Sequence, residues 1–212
     1  MIPKEVQAVL VLQESDTMMD RKIILASQSP RRKELISKII PDFEIMVDAS
    51  EEKTESGLTP EETVRFLARQ KAENIAKKVS DSALIIGADT VVSIDHMIFG
   101  KPTDEEDAKR MLRTLSGRQN TVCTGIAIID TSSGKIACDS VTTNVVFKEL
   151  TDDEILNYIS TGEPMDKAGA YGIQDLGSIL VEEIHGDCFN VIGLPLCRLA
   201  QMLKTEFDYK IL

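Results

Sequence analysis

Ser27-Gln28-Ser29-Pro30-Arg31-Arg32 stands between an apolar run, Ile23-Ile24-Leu25-Ala26, and an amphipathic segment over 33–40. This order predicts a strand that ends in a polar turn and feeds a helix. Ser29 is the expected N-cap, and Pro30 fills the first helical position, where its missing N–H is not needed. Two arginines in that first turn oppose the helix dipole, which favours acids there. The chain contains its own comparison. Thr59-Pro60-Glu61-Glu62, Thr103-Asp104-Glu105-Glu106 and Thr151-Asp152-Asp153-Glu154 all read as capping boxes with an acid at the third helical position. In the first helix Arg32 takes that place. A polar turn, free backbone N–H groups and two guanidiniums at one point make a phosphate site. Surface solvation accounts for the same two arginines equally well at this stage.

The 212 residues suffice for one well-buried domain, 21–212, preceded by a loosely held extension over 1–20. Apolar residues make up 42% and charged residues 28%, an ordinary globular composition with no repeat or low-complexity tract. A net charge of -11 opposes general binding to a nucleic-acid polymer, so any anion site must be local. The apolar patch over 6–12 is too short to span a membrane and is flanked by acids rather than a basic leader region. Cys123, Cys138, Cys188 and Cys197 contain no C-x-x-C pair. They read as reduced thiols of a cytoplasmic protein rather than as a zinc site.

Further along, 43–47 reads as a strand and 60–79 as a long helix whose apolar stripe collects Val64, Leu67, Ala68, Ile75 and Val79. Lys71 falls inside that stripe, so its ammonium either snorkels to the edge or enters a cleft. The run Ala83-Leu84-Ile85-Ile86-Gly87 predicts a buried strand that delivers Asp89 and Thr90 at its C-terminal end, where ligands sit in open α/β sheets. A hairpin around Asp95-His96, a helix over 104–115, strands over 122–129 and 136–147, and a helix over 152–160 follow. The segment 162–174 has too many turn residues for a regular element and too many charges for a core, the mark of a functional loop. Residues 179–181 and 188–192 are expected to add strand, and Gly193-Leu194-Pro195 to open a last helix.

Arg31, Arg32, Lys71, Lys101 and Lys167 are cations; Glu52, Asp89 and Asp166 are carboxylates. Convergence of the two sets is the equipment of metal-assisted phosphoryl chemistry. His96 and His185 do not complete a Ser-His-Asp arrangement, and neither a Walker A loop nor a dinucleotide glycine fingerprint is present.

Taken with Gly87-Ala88-Asp89-Thr90, Lys101-Pro102, the stretch from Gly162-Glu163-Pro164 through Asp166-Lys167-Ala168-Gly169 to Tyr171-Gly172-Ile173-Gln174, and Asn190-Val191-x-Gly193-Leu194-Pro195, the opening motif resembles the Maf family of nucleoside triphosphate pyrophosphatases. The resemblance covers about 22–203. It implies an α/β fold related to inosine triphosphatase, with a bent mixed sheet flanked by helices around a deep cleft. It also implies hydrolysis of a nucleoside triphosphate to the monophosphate and pyrophosphate. By the same resemblance Asp89 is the general base or the metal-bound activator of the attacking water, with Lys101 beside it in catalysis, and Glu52 joins Asp89 at Mg²⁺ or Mn²⁺. Ser27, Ser29, Arg31, Arg32, Lys71, Thr90, Lys167 and Gln174 then bind substrate, and the protein is a homodimer. Arg31, Thr90 and Gln174 match the branch that acts on dTTP and UTP. Gly100 departs from the acid that commonly precedes the Lys-Pro pair, and 1–20 has no family counterpart. The rival expectation is a protein that binds nucleotide without hydrolysing it, as a regulator of cell division.

Overall fold

The computed structural model describes residues 21–50 and 55–212; the extension expected over 1–20 and the expected metal ligand Glu52 lie outside the described residues. Strand β1 (Lys22–Leu25) is apolar after its first residue and buried. It leads through 26–29 into α1 (Pro30–Ser37), where Ser29 Oγ accepts from the Arg32 backbone N–H and Pro30 opens the helix. Strand β2 (Glu44–Ile45) is shorter than the run 43–47 predicts. Helix α2 (Pro60–Ala76) begins with a full capping box between Thr59 and Glu62 and buries Val64, Leu67, Ala68, Ala72 and Ile75. Strands β3 (Ala83–Ile94) and β4 (Met97–Phe99) form a hairpin. Its turn residues, Asp95 and His96, both have positive φ, as a two-residue hairpin turn requires.

Helix α3 (Glu105–Leu115) precedes the long strands β5 (Gln119–Asp130) and β6 (Ile136–Phe147). Next come α4 (Asp152–Ser160), three short 3₁₀ turns within 163–180, β7 (Val181–His185), α5 (Cys188–Ile192) and α6 (Leu196–Phe207). Several expectations change. Of the strand expected over 179–181, Ile179 and Leu180 close a 3₁₀ turn and only Val181 is strand, the first residue of β7. The N-cap of α3 is Asp104 rather than Thr103, because its carboxylate takes the Asp107 N–H and a carboxylate outranks threonine at that position. Residues 188–192 are helix rather than strand: Asp187 caps the Phe189 N–H at 2.8 Å and closes a turn that an apolar run alone does not reveal.

Seven strands make one mixed sheet in the order β2-β1-β3-β5-β6-β7, with β4 also on β3. Along one edge β3 pairs antiparallel with β5 from Leu84 to Ser93. Along its other edge it pairs parallel with β1 only as far as Ile86 and then with β4 from Val92 onward. Residues 87–91 lie in the gap between those two partners. Asp89 and Thr90 are therefore mid-strand, not at a strand end as the sequence suggested, and they are reachable because β1 stops short.

Successive side chains of β3 face opposite sides of the sheet. Ala83 and Ile85 pack with Ala68, Ala72 and Ile75 of α2, and Val91 packs with Val64. On the opposite face Leu84, Ile86 and Ala88 join the core formed with α1 and α6. Val92 and Ile94 on that same face join a second core, with α3 and α4. Thr90 marks the boundary between the two.

Helix α2 lies backbone-against-sheet. A Cβ at Gly87 would stand 2.2 Å from the Ala68 carbonyl oxygen, and one at Gly125 would stand 2.2 Å from that of Val64. Gly87→Ala must push the helix outward and is expected to lower unfolding free energy by about 1–3 kcal/mol. Urea unfolding curves check this, and a stability equal to wild type would show that α2 does not lie this close.

Candidate active site

A cavity of about 690 Å³ opens beside residues 87–91. Ser27, Ser29, Arg31, Arg32, Lys71, Asp89, Thr90, Lys101, Lys167 and Gln174 all line it. Neither His96 nor His185 is among its walls. His185 instead meets Glu183 at 2.9 Å on the exposed β7.

Each charged side chain reaches the cavity for a local reason. Lys71 lies on the sheet-facing side of α2, and the close approach at Gly87 and Gly125 brings its Nζ onto Asp89 Oδ1. Both side chains are mostly enclosed, Asp89 at 13% and Lys71 at 22% exposure. Arg32 turns into the protein: its Nε donates to the Gly193 carbonyl at 2.8 Å, Nη2 to Thr90 Oγ1 at 3.0 Å and Nη1 to Ser27 Oγ at 3.4 Å. Arg31 points the other way, across the cavity. Its Nη1 donates to Asp166 Oδ2 at 2.7 Å and its Nη2 to the Asp166 carbonyl at 3.0 Å. The two arginines of the opening motif thus share a cavity but serve different walls.

Asp166 belongs to the irregular segment after α4. Its Oδ1 accepts from Lys167 Nζ at 2.8 Å, and Lys167 also donates to the Glu163 carbonyl at 2.7 Å. Glu163 holds the segment in shape by accepting from the Tyr158 hydroxyl and from the N–H groups of Leu176 and Gly177. Tyr171 roots it in the core, stacking edge-on against Phe147 and donating to Asn120 Oδ1 at 3.0 Å. Burial pushes the Tyr171 phenol well above its ordinary pKa, so this hydroxyl stays a donor. Gln174 and Lys101 are exposed at the cavity, and Lys101 makes no hydrogen bond or ion pair among the described residues.

Sequence reasoning passed over Thr124 and the role of Asn190. Thr124 lies opposite Thr90 on β5, fully buried, with its Oγ1 2.9 Å from Thr90 Oγ1. Asn190, also fully buried, ties α5 to the sheet through Nδ2 bonds to the Val122 carbonyl and Thr143 Oγ1. The available signal was a threonine inside the otherwise apolar run from Val122 to Ile129. Among the described residues no cluster of three or more His, Cys, Asp or Glu is placed to hold a metal. That donor set does not fit an all-protein cage. Mg²⁺ needs no such cage, since it takes one or two carboxylates and completes its shell with phosphate oxygens and water.

A family model described as Maf-like protein matches residues 22–206. The chain belongs to the Maf-like family. A relative from Thermoanaerobacter sp. (strain X514), named dTTP/UTP pyrophosphatase, is 48% identical over 191 residues, 90% of this chain and 100% of its own. A relative of the same name from Acetivibrio thermocellus is 52% identical over 197 residues, 90% of this chain and 98% of its own. Among solved structures, the Staphylococcus aureus Ham1 protein aligns with 60% of this Maf-like chain and 72% of its own, at 16% identity and a TM-score of 0.45.

The Arg31–Asp166 contact has a pH signature. Burial works against ionisation of Asp166, but the hydrogen bonds from Lys167 and Arg31 prevail and hold its carboxyl below the ordinary value of 3.8. Its contribution to stability is therefore complete above 3.8 and is lost as pH falls through the lower folded-state value. Carboxyl-carbon NMR should show Asp166 titrating below 3.8 in the wild type and higher in Arg31→Ala. Identical midpoints in the two proteins would mean that Arg31 does not hold it.

Proposed function

We propose that this chain is a nucleoside triphosphate pyrophosphatase acting on dTTP and UTP, releasing pyrophosphate and leaving the nucleoside monophosphate. The observation that carries the reading is the shared cavity, in which Asp89, fixed by Lys71, stands among Arg31, Arg32, Lys101 and Lys167. The names of relatives at about half identity over nine-tenths of the chain support it.

The chemistry follows from what each group can do. Arg31, Lys101 and Lys167 take up the charge of the triphosphate, while Arg32 secures the cavity-lining turn by donating to Ser27 Oγ and the Gly193 carbonyl; the Ser29 N–H is used within that turn, donating to Ser27 Oγ. Lys71 occupies Oδ1 of Asp89, and Oδ2 has no partner among the described residues. Oδ2 accepts a proton from the water that attacks the α-phosphorus. The bond from that phosphorus to the bridging oxygen breaks, and the cations stabilise pyrophosphate as it leaves. A divalent cation, Mg²⁺ or Mn²⁺, fits at Asp89 with Glu52 as the proposed second carboxylate, and when bound supplies Lewis-acid charge at the phosphates. Gln174 reads the pyrimidine edge, donating to a ring carbonyl and accepting from N3–H. The proposed homodimer rests on the family resemblance, and the proposed cytoplasmic location on reading the four cysteines as reduced thiols.

Pyrophosphate release from a panel of dTTP, UTP, CTP and GTP with Mg²⁺ or Mn²⁺ tests this. Wild type should favour dTTP and UTP, and Asp89→Asn should lose at least ~100-fold in kcat. Tight binding without release by the wild type would replace the enzyme with a nucleotide-binding regulator. Gln174→Ala should narrow the preference for dTTP and UTP over CTP and GTP; an unchanged ranking would remove Gln174 from base recognition.

A further inference from the structure

We propose that Thr124 is a positioning residue that fixes the Thr90 hydroxyl as a hydrogen-bond acceptor toward the cavity, so that the site reads a donor on the nucleoside part of the substrate. The inference rests on the nucleoside triphosphate reading and adds to it a residue that touches no substrate.

Hydrogen-bond direction along a buried chain of groups carries the argument. The Asn190 main-chain carbonyl can only accept, so Thr124, 2.9 Å away, donates its single hydroxyl proton there. With that proton committed, Thr124 must be the acceptor in its 2.9 Å contact with Thr90, and Thr90 the donor. Arg32 Nη2 donates to Thr90 from the other side, at 3.0 Å. Thr90 has then used its proton and one lone pair. One lone pair remains, on a side chain that lines the cavity.

The direction is locked because reversing it is costly. Thr124 is fully buried, and Asn190, also fully buried, is held by Nδ2 bonds of 3.0 Å to the Val122 carbonyl and 2.9 Å to Thr143 Oγ1. Turning the Thr124 hydroxyl away from Asn190 would leave a buried carbonyl without a donor. An acceptor-only Thr90 repels phosphate oxygens and attracts N–H or O–H. The donors common to dTTP and UTP are the base N3–H and the sugar 3′-hydroxyl; with Gln174 assigned the first, the second is the donor left for Thr90, and the CTP arm of the test checks that division. CTP lacks the first, since its N3 accepts, and 3′-deoxy-UTP lacks the second.

The test measures kcat/KM for UTP, CTP and 3′-deoxy-UTP in wild type, Thr124→Val and Thr124→Ser. Wild type should discriminate against whichever analogue lacks the donor that Thr90 reads. Thr124→Val, which frees the Thr90 proton to donate into the cavity, should shrink that discrimination roughly five- to tenfold. Thr124→Ser, which keeps the hydroxyl, should restore it. Both ratios staying within about twofold of wild type in Thr124→Val, or a loss in Thr124→Ser as large as in Thr124→Val, would overturn the proposal.

Proton NMR of the wild type gives a readout independent of turnover and of the variant's folding. The Thr90 hydroxyl proton should exchange slowly and show a nuclear Overhauser contact to Thr124. Exchange at the rate of a solvated threonine would overturn the proposal by itself. If the wild type releases pyrophosphate from no triphosphate, the pyrophosphatase reading fails, and the NMR measurement still decides the hydroxyl's direction.

Discussion

The backbone of α2 lies so close to β3 and β5 that neither Gly87 nor Gly125 has room for a Cβ, and the rest of the site depends on that approach. Asp89 follows Gly87 by two residues and is paired in register with Gly125, so all three lie where the helix presses the sheet. Lys71 is carried on the pressed face of the helix. Its contact with Asp89 is a direct product of two missing side chains. A helix standing off at the usual distance would leave that ammonium in solvent and that carboxylate in an empty groove.

Strand β3 carries the second constraint. Its alternating side chains send Asp89 toward α2 and Thr90 toward the opposite face, where it stands between two separate cores. The gap between β1 and β4 along one edge makes both residues accessible from one cavity. A continuous neighbouring strand would have sealed residues 87–91 inside the sheet. The early end of β1 is thus what opens residues 87–91 to the cavity, and the turn at 26–29 is what ends it.

A chain with net charge -11 concentrates cations here by pairing them with carboxylates on the cavity wall. Asp89 holds Lys71, and Asp166 holds Arg31 and Lys167. These contacts offset repulsion among the cations. On the proposed reading, an incoming triphosphate competes with Asp166 for Arg31. The exchange trades a half-exposed carboxylate for a polyanion, which favours the substrate.

The sequence by itself determined the local elements and the residue types of the site. Ser29-Pro30 capped the first helix, Thr59 and Thr151 capped two more, and the misplaced positive charge at Arg32 marked the turn that lines the cavity, because caps and dipoles act within a few residues. It did not reveal that Arg31 and Arg32 part company, that β3 runs unbroken through Asp89, that 188–192 coil into a helix, or that Thr124 sets the direction of Thr90's proton. Each of these rests on groups distant along the chain: Asp166 and Gly193, the length of β1 against that of β5, and the Asn190 carbonyl. Such partners meet only when strands pair and helices pack, and no short-range pattern encodes where an acceptor 66 residues away will stand.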